Sequence, residues 1–215
     1  MISARHIVKR FDKLTIFDDL SFDIKDGEYV CFSGPSGAGK TTLLNIIGLL
    51  EPIDSGELLI NGRNYARSRD KREYYRKEVG FLFQNFGLIE NKTVYDNLMI
   101  VKPYKGKALP IETVLNRVGL EDKIDSKIYT LSGGEQQRVA LARLMLKQCN
   151  IILADEPTGN LDSQSSKEIM GILKELNREG RTVILITHDS EIAMEARRII
   201  HIKDGRIDYD EIKEM

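Results

Sequence analysis

Four short runs of apolar residues stand out along the chain because polar residues hardly interrupt them. They are rich in valine, isoleucine, leucine and phenylalanine and cover residues 29–33, 79–83, 151–154 and 183–187. Such runs are typical of parallel strands that are buried on both faces of a sheet. Between or after them, helical patterns cover residues 41–50, 132–148, 162–178 and 190–197. The alternation predicts an α/β fold with a mainly parallel sheet flanked by helices.

The two ends of the chain depart from this alternation. Residues 1–26 alternate between short apolar and polar stretches with turn signals, which predicts an N-terminal antiparallel β subdomain. Near the other end, two apolar stretches flank Asp204 and Gly205, and this pattern predicts a hairpin over residues 199–209. The chain length suits one domain, so we expect residues 1–215 to fold together.

The middle of the chain, from about residue 85 to residue 150, is mostly helical in pattern. Helices are expected at residues 93–101 and 110–118, with a linking segment at 121–130. These elements predict an inserted helical subdomain that ends in the helix at 132–148. A stretch bounded by two prolines, residues 103–110, carries glycine and lysines and is expected to be a solvated loop.

Composition narrows the classes of partner. Lysine and arginine total 32 against 33 for aspartate and glutamate, so the net charge of -1 gives no general attraction to nucleic acid or anionic lipid. The most apolar window, residues 43–50, is far shorter than the roughly 20 residues of a membrane span. The start of the chain lacks the pattern of a secretory signal, so we expect a cytosolic chain. Cys31 and Cys149 show no C-x-x-C spacing and are expected to be buried, reduced thiols.

A glycine-rich loop follows the first apolar run and opens a helical pattern. Glycines let successive backbone amides turn towards an anion, a lysine adds positive charge for the outer phosphates, and the next hydroxyl can bind magnesium. The spacing G-x-x-x-x-G-K-T therefore indicates a P-loop NTPase. The predicted phosphate-binding residues are Gly34, Pro35, Ser36, Gly37, Ala38, Gly39, Lys40, Thr41 and Thr42.

Polar residues end three of the other apolar runs. Asp155 and Glu156 follow the run at 151–154, Gln84 follows 79–83, and His188 follows 183–187. The carboxyl ends of parallel strands meet at one edge of a sheet, beside the phosphate loop. We expect Asp155 to hold magnesium, Glu156 to polarise an attacking water, Gln84 to contact metal and water, and His188 to reach the γ-phosphate. A lone histidine or glutamine is more often structural, but four strand ends together indicate a catalytic site.

A second glycine pair begins the last helix of the predicted insert. Ser132 is placed to cap that helix and Glu135 to complete a capping box. The adjacent Gly133 and Gly134 would expose further amides to an anion, although the first loop already surrounds the phosphates. A second copy related by a two-fold axis would let each Ser132 close over the γ-phosphate of its partner.

Together these motifs resemble the ATP-binding subunits of ABC transporters over nearly the whole chain. Residues 34–42 resemble the Walker A loop, 131–137 the family signature, 151–156 Walker B and 159–162 the D-loop, while Gln84 and His188 resemble the Q-loop glutamine and the switch histidine. The resemblance implies ATP and Mg²⁺ as ligands and assigns a role to each matched residue. It implies that Phe11 stacks on the adenine, that Lys40 holds the β- and γ-phosphates, that Thr41, Gln84 and Asp155 serve magnesium, and that Glu156 is the catalytic base assisted by His188. It also implies that Ser132, Gly134 and Asp162 contribute to nucleotide binding, with Ser132 and Gly134 acting in trans.

The resemblance also implies partners. It predicts a homodimer in the ATP-bound state, integral membrane permease subunits and a place on the cytoplasmic face of a bacterial membrane. Residues 132–143 and 155–163 look most like the branch for lipoprotein release, macrolide efflux, cell division and peptide-antibiotic export or immunity. Residues 80–94 look closest to lactococcin-type bacteriocin exporters. The alternatives are a soluble ABC ATPase that acts on DNA or ribosomes and a nucleotide-binding regulator without turnover. No nucleic-acid partner is expected.

Overall fold

The computed structural model describes residues 1–65, 71–101 and 109–213. Within these ranges the strands form two sheets. These strands are β1 (Ile2–Phe11), β2 (Leu14–Ile24), β3 (Tyr29–Ser33), β4 (Ser55–Ile60), β5 (Val79–Leu82), β6 (Ile151–Asp155), β7 (Thr182–Ile186), β8 (Arg198–Lys203) and β9 (Arg206–Ile212). The larger sheet has six strands in the order β5-β6-β7-β3-β8-β9, and the smaller one has three in the order β2-β1-β4.

The four apolar runs form four adjacent strands of the larger sheet, with β5 at its edge. Strands β5, β6, β7, β3 and β8 are parallel, and β9 pairs antiparallel with β8. The turn between β8 and β9 lies at Asp204 and Gly205, which confirms the predicted hairpin. Because the strands are parallel, the ends of β3, β5, β6 and β7 lie at one edge.

The antiparallel sheet extends beyond the predicted bounds. Strands β1 and β2 lie within residues 1–26, but β4 pairs with β1 as a third strand, and the sequence pattern did not predict it. Ser55, Gly56 and Glu57 are exposed, so β4 buries only its second half, mainly through Leu58 and Ile60. Two apolar positions are too few for a recognisable alternation.

Seven helices occur in the described ranges. They are α1 (Lys40–Ile47), α2 (Lys71–Lys77), α3 (Val94–Met99), α4 (Ile111–Arg117), α5 (Gly133–Lys147), α6 (Ser163–Arg178) and α7 (Ser190–Ala193). Helix α7 is shorter than the predicted 190–197, because the chain turns after residue 193 to enter β8 at Arg198. Helix α2 was not predicted; it buries only Tyr74, whose hydroxyl donates to Ile47 O at 2.9 Å.

The middle of the chain is helical, as predicted. Helices α3 and α4 precede α5, and the linking segment forms two 3₁₀ turns at Glu121–Lys123 and Ile128–Thr130. Part of the predicted lysine loop, with Lys102, Lys105 and Lys107, lies outside the described residues.

Two apolar clusters cover the two faces of the larger sheet. Along β3, Cys31 faces the cluster formed by α3 to α6, whereas Val30 and Phe32 face the cluster formed by α1 and the antiparallel sheet. This alternation explains why the whole run is apolar. Cys31 and Cys149 are free and buried, which confirms the predicted thiols. Among the described helices, none has the length and hydrophobicity needed to cross a bilayer.

Candidate active site

The loop after β3 leads into α1, and three successive backbone amides at this junction are unpaired. Gly39 is the N-cap of α1 and has a left-handed backbone with φ of 87°, which a residue with a side chain adopts only at a cost. No side chain caps this helix. Within the described part of the chain, the amides of Gly39, Lys40 and Thr41 make no hydrogen bond. They are therefore free to donate to an anion at the positive end of the helix dipole.

The side chain of Lys40 adds a positive charge inside this loop. Its ammonium group donates to the carbonyl oxygens of Gly34 and Pro35, each at 2.8 Å. The residue is only 8% exposed, and no carboxylate among the described residues forms an ion pair with it. A buried cation that is held only by neutral carbonyls gains most from the arrival of an anion.

Asp155, at the end of β6, lies next to the loop. The hydroxyl of Thr41 donates to Asp155 Oδ1 at 3.3 Å. Burial raises the pKa of Asp155, and the nearby Glu156 adds to the rise, whereas the Thr41 hydrogen bond opposes it. A hydroxyl and a carboxylate that lie next to a phosphate cradle are hard oxygen donors, and they suit Mg²⁺, which completes its shell with waters and phosphates. The residues therefore fit this metal ion.

Glu156 occupies a strained position beside His188. Its φ of 46° is left-handed, which is rare for a residue with a side chain and common at functional sites. Its carboxylate lies 2.7 Å from His188 Nδ1, accepts from His188 N at 3.0 Å, and accepts from the Thr187 hydroxyl at 3.2 Å. Glu156 and His188 were predicted to lie at one edge of the sheet. Neither their direct contact nor the hydrogen bond from Thr187 was predicted.

The phosphate loop, Glu156 and His188 line one cavity of about 550 Å³, whereas Asp155 is not among its walls. Its walls are formed by Ile16, Ser36, Gly37, Gly39, Lys40, Thr41, Thr42, Glu156, Ile186 and His188. Most of the predicted phosphate loop, the predicted base and the predicted histidine therefore share one site. Ile16 and Ile186 were not predicted, because an isolated apolar residue in a strand gives no functional signal.

Gln84 does not line this cavity, although it lies near it. It follows β5 and is exposed. Its Nε2 stands 3.3 Å from the point where a Cβ on Gly159 would lie, and the amide of Gly159 donates to Glu156 O at 3.1 Å. Gly159 thus lies between Gln84 and Glu156, and Gln84 lies at the predicted edge of the sheet.

Phe11 also lies outside the cavity walls, at the end of β1. Its ring is 43% exposed, and the ammonium group of Lys9 lies 4.6 Å from the ring centroid. Lys9 is itself buried and forms an ion pair with Glu51 at 2.6 Å. One face of the ring is thus backed by a fixed cation, a contact that the sequence pattern did not reveal.

The predicted in-trans residues stand at the start of α5, away from the cavity walls. Ser132 is exposed and caps the helix by accepting from Glu135 N, while the Glu135 carboxylate accepts from Ser132 N at 2.8 Å. The amides of Gly133 and Gly134 make no hydrogen bond with the described residues. A Cβ on Gly134 would lie 2.4 Å from Ser165 Oγ, so this glycine also permits the close packing of α5 against α6. The helix end is open to an anion from outside the chain.

Asp162 is the N-cap of α6 rather than a wall of the cavity. Its Oδ1 accepts from the amides of Gln164 and Ser165, and its Oδ2 accepts from the Ser165 hydroxyl at 2.7 Å. The Ser165 amide is the largest cause of the lowered pKa of Asp162. In this structure its contacts are with its own helix.

Comparison with known proteins decides the family. The family model described as ABC transporter matches residues 17–159. The chain belongs to the ABC transporter family. The ABC transporter ATP-binding protein YxdL of Bacillus subtilis is 40% identical over 99% of this chain and 86% of its own length. The macrolide export ATP-binding/permease protein MacB of Bdellovibrio bacteriovorus is 41% identical over 98% of this chain, which spans only 34% of that protein.

Solved structures agree with this assignment. The dimeric structure of MJ0796, described as a bacterial ABC transporter cassette, superposes with a TM-score of 0.88 at 36% identity, and each chain is covered completely. A dimeric post-hydrolysis state of MJ0796, bound to ADP and Pi, superposes with a TM-score of 0.87 at the same identity. The ABC chain described here is thus an ATP-binding domain with the P-loop NTPase fold, and it belongs to a family of ATPases.

The capping box of the ABC signature helix gives a prediction about stability. The amide of Ser132 lowers the pKa of Glu135, so the ionised carboxylate stabilises the fold above the unfolded pKa and loses this effect as pH falls through the folded pKa. We expect Glu135→Ala to lower the free energy of unfolding by about 1 kcal/mol at pH 7 and by less at pH 3.

Urea denaturation at both pH values measures this loss. Glu135→Gln is the matched control, since glutamine retains the capping acceptor without a titrating group. A loss in Glu135→Ala that grows on acidification would contradict the assignment.

Proposed function

We propose that this chain is the ATP-hydrolysing subunit of an ABC exporter and that two copies enclose two Mg-ATP molecules. One observation carries the proposal: the cavity holds Lys40, Glu156 and His188, whereas the open helix end at Ser132 and Gly134 lies outside it. One nucleotide cannot use both sets of amides within one chain. A head-to-tail pair brings each Ser132 to the partner's γ-phosphate. The dimeric structures of MJ0796 support this arrangement.

The residues of the cavity, together with the neighbouring Asp155 and Gln84, then have distinct tasks. Lys40 and the loop amides hold the β- and γ-phosphates, and Thr41, Asp155 and Gln84 hold Mg²⁺. When bound, the metal ion neutralises charge that develops on the transferred phosphoryl group. Glu156 accepts the proton of the attacking water, and Thr187 and His188 fix the direction of its carboxylate.

Closure of the dimer depends on the γ-phosphate. The hydroxyl of Ser132 accepts from Glu135 N and still has its own hydrogen to donate. Together with the free amides of Gly133 and Gly134, this hydroxyl keeps the two chains together only while a γ-phosphate is present. Hydrolysis removes this contact and lets the pair reopen.

Separate membrane subunits would convert this motion into export. Ile89 is 46% exposed, and Tyr95, Met99 and Ile100 on or beside α3 are also exposed. Leu88, by contrast, packs against the apolar cluster of the helical part, so it serves the core. The exposed set forms an apolar surface for a permease on the cytoplasmic face of a bacterial membrane. The relatives named for macrolide export support a drug as the substrate, and a lipoprotein, peptide or bacteriocin substrate stays a prediction.

The role of Phe11 is open to a direct test. We expect Phe11→Ala to weaken ATP binding about ten-fold, since stacking on a base contributes roughly 1–3 kcal/mol. Binding of tripolyphosphate, which has no base, should not change. Isothermal titration with both ligands measures the difference.

The matched control is Leu14→Ala, which removes the exposed residue paired with Phe11 across the β1–β2 turn. It should leave both affinities unchanged. An equal loss of ATP and tripolyphosphate binding in Phe11→Ala would mean that the ring supports the fold rather than the base.

Capture from cells separates the exporter from a soluble ABC ATPase. Affinity-tagged protein, extracted from membranes in mild detergent, should retain a multispanning membrane protein. Recovery of ribosomes or DNA without a membrane protein would favour the soluble class, which the net charge of -1 disfavours. Absence of phosphate release in the captured complex would favour a regulator without turnover.

A further inference from the structure

The loop that carries Gln84 is held by a guanidinium group on helix α5. Arg143 Nη1 donates to Gly87 O at 2.7 Å, and Nη2 donates to Phe86 O at 3.3 Å. Phe86 and Gly87 both have left-handed backbones, with φ of 62° and 59°, so they form a tight turn at this point. One side chain thus fixes two successive carbonyls directly after Gln84 and Asn85.

Arg143 differs from the other arginines of the helical part in its partners. Arg138 pairs with Glu168 of α6, and Arg117 pairs with Glu175 of α6 and with Glu179, which follows that helix. Arg143 forms no ion pair with any described residue, and burial lowers its pKa. A half-buried guanidinium without a counterion depends on its hydrogen-bond acceptors, so Arg143 and the turn hold each other in place.

The same loop touches α5 at two further points. Gln137 is fully buried, donates to Pro157 O at 2.8 Å, and its Nε2 lies 3.5 Å from Phe83 O. The ring of Phe86 lies 3.6 Å from the point where a Cβ on Gly133 would stand. Contacts therefore lie before Gln84, after it, and at the exposed start of α5.

We propose that Arg143 is a positioning residue that fixes the loop of Gln84 on helix α5, so that Gln84 and Ser132 move as one body. The proposal rests on the proposed function, in which Gln84 serves one nucleotide and Ser132 serves the nucleotide of the partner. A force on the loop, for example at the exposed Ile89, then moves the start of α5 as well. Arg143 itself does not line the cavity that holds Lys40 and Glu156.

Hydrogen–deuterium exchange of the isolated chain tests the contact directly. We expect Arg143→Met to speed exchange in peptides covering residues 83–89 by roughly ten-fold, because hydrogen bonds to charged groups contribute most to local stability. Exchange in residues 34–42 should not change. Arg138→Met, on the same helix but paired with α6, is the matched control and should leave residues 83–89 as they are. Unchanged exchange of residues 83–89 in Arg143→Met would overturn the proposal.

Steady-state kinetics test the consequence for Gln84. We expect Arg143→Met to lower kcat about ten-fold, as a misplaced catalytic group would, with KM for ATP within about two-fold of wild type. Combined with Gln84→Ala, it should cause little further loss, since both changes remove the same contribution. Independent, multiplying losses would overturn the proposal. Arg143→Lys, which keeps a charge with fewer directed donors, should recover part of kcat and also controls for misfolding.

The two arms separate this proposal from the proposed function. If Gln84→Ala hydrolyses ATP at the wild-type rate, the role assigned to Gln84 is wrong, and the joint motion with the active site falls with it. The exchange measurement still decides, in that case, whether Arg143 holds the loop.

Discussion

Replacement of Glu156 by glutamine is expected to abolish ATP turnover while ATP binding stays near the wild-type level. Glutamine keeps an oxygen that can accept from His188 N, and its amide nitrogen can donate to the Thr187 hydroxyl oxygen, so the geometry of the site should persist. It cannot accept the proton of the attacking water, and loss of a general base lowers rates by roughly 10²–10⁴-fold. Because the γ-phosphate then remains intact, the ATP-bound dimer should accumulate and appear in gel filtration.

The matched control for this variant is Glu191→Gln, an exposed carboxylate in the first turn of α7. It removes the same charge near the same sheet edge and should retain turnover. Wild-type hydrolysis by Glu156→Gln would contradict the assignment of the base. Loss of ATP binding in that variant would show that Glu156 mainly supports the fold of the cavity.

Ser132→Arg is expected to block the ATP-dependent dimer while each chain still binds ATP with near-normal affinity. Ser132 is exposed and lies outside the walls of its own cavity, so a bulky cation there leaves that cavity intact. It would, however, occupy the space in which the partner's γ-phosphate has to lie. Hydrolysis should fall roughly 100-fold or more, as expected when a group that contacts the transition state is displaced.

Ser132→Ala separates this effect from loss of the helix cap, which costs about 1 kcal/mol in both variants. Equilibrium sedimentation with ATP should show dimers of Ser132→Ala at raised protein concentration and monomers of Ser132→Arg throughout. If Ser132→Arg formed dimers at the same protein concentration as the wild type, the signature helix would not lie in the dimer interface.

The central sheet could be predicted from the sequence because its strands are buried on both faces. The run is apolar from residue 29 to residue 32, since Val30 and Cys31 face opposite clusters. By contrast, β4 and α2 bury too few side chains to leave a periodic pattern, and α2 has only Tyr74 in the core. Elements that pack through one or two residues are specified by their tertiary contacts, which a local pattern does not contain.

The position of the site residues at one edge of the sheet was also predictable, because strand ends of a parallel sheet share an edge. The direct hydrogen bond between Glu156 and His188 was not, since it joins residues from two strands in a geometry set by the left-handed backbone of Glu156. Thr187 was missed for a related reason. It continues an apolar run and is 2% exposed, so the sequence pattern assigns it to the core, although its hydroxyl donates to the Glu156 carboxylate.

Gly134, at the start of α5, affects helix packing as well as the predicted binding of phosphate. The sequence indicated that Gly134 exposes an amide to phosphate, and the structure adds that a side chain there would collide with Ser165 of α6. Substitution of Gly134 would therefore disturb packing as well as binding. Ser132 is the better position at which to test the seam, because it is exposed.

The dependence of hydrolysis on protein concentration tests most directly whether two chains form each active site. ATP hydrolysis by the purified wild-type chain should be measured over a dilution series at saturating Mg-ATP. If two chains form each active site, activity per milligram should rise with protein concentration and reach a plateau as dimers form. Full activity per milligram at every dilution, with sedimentation showing only monomer, would contradict this expectation.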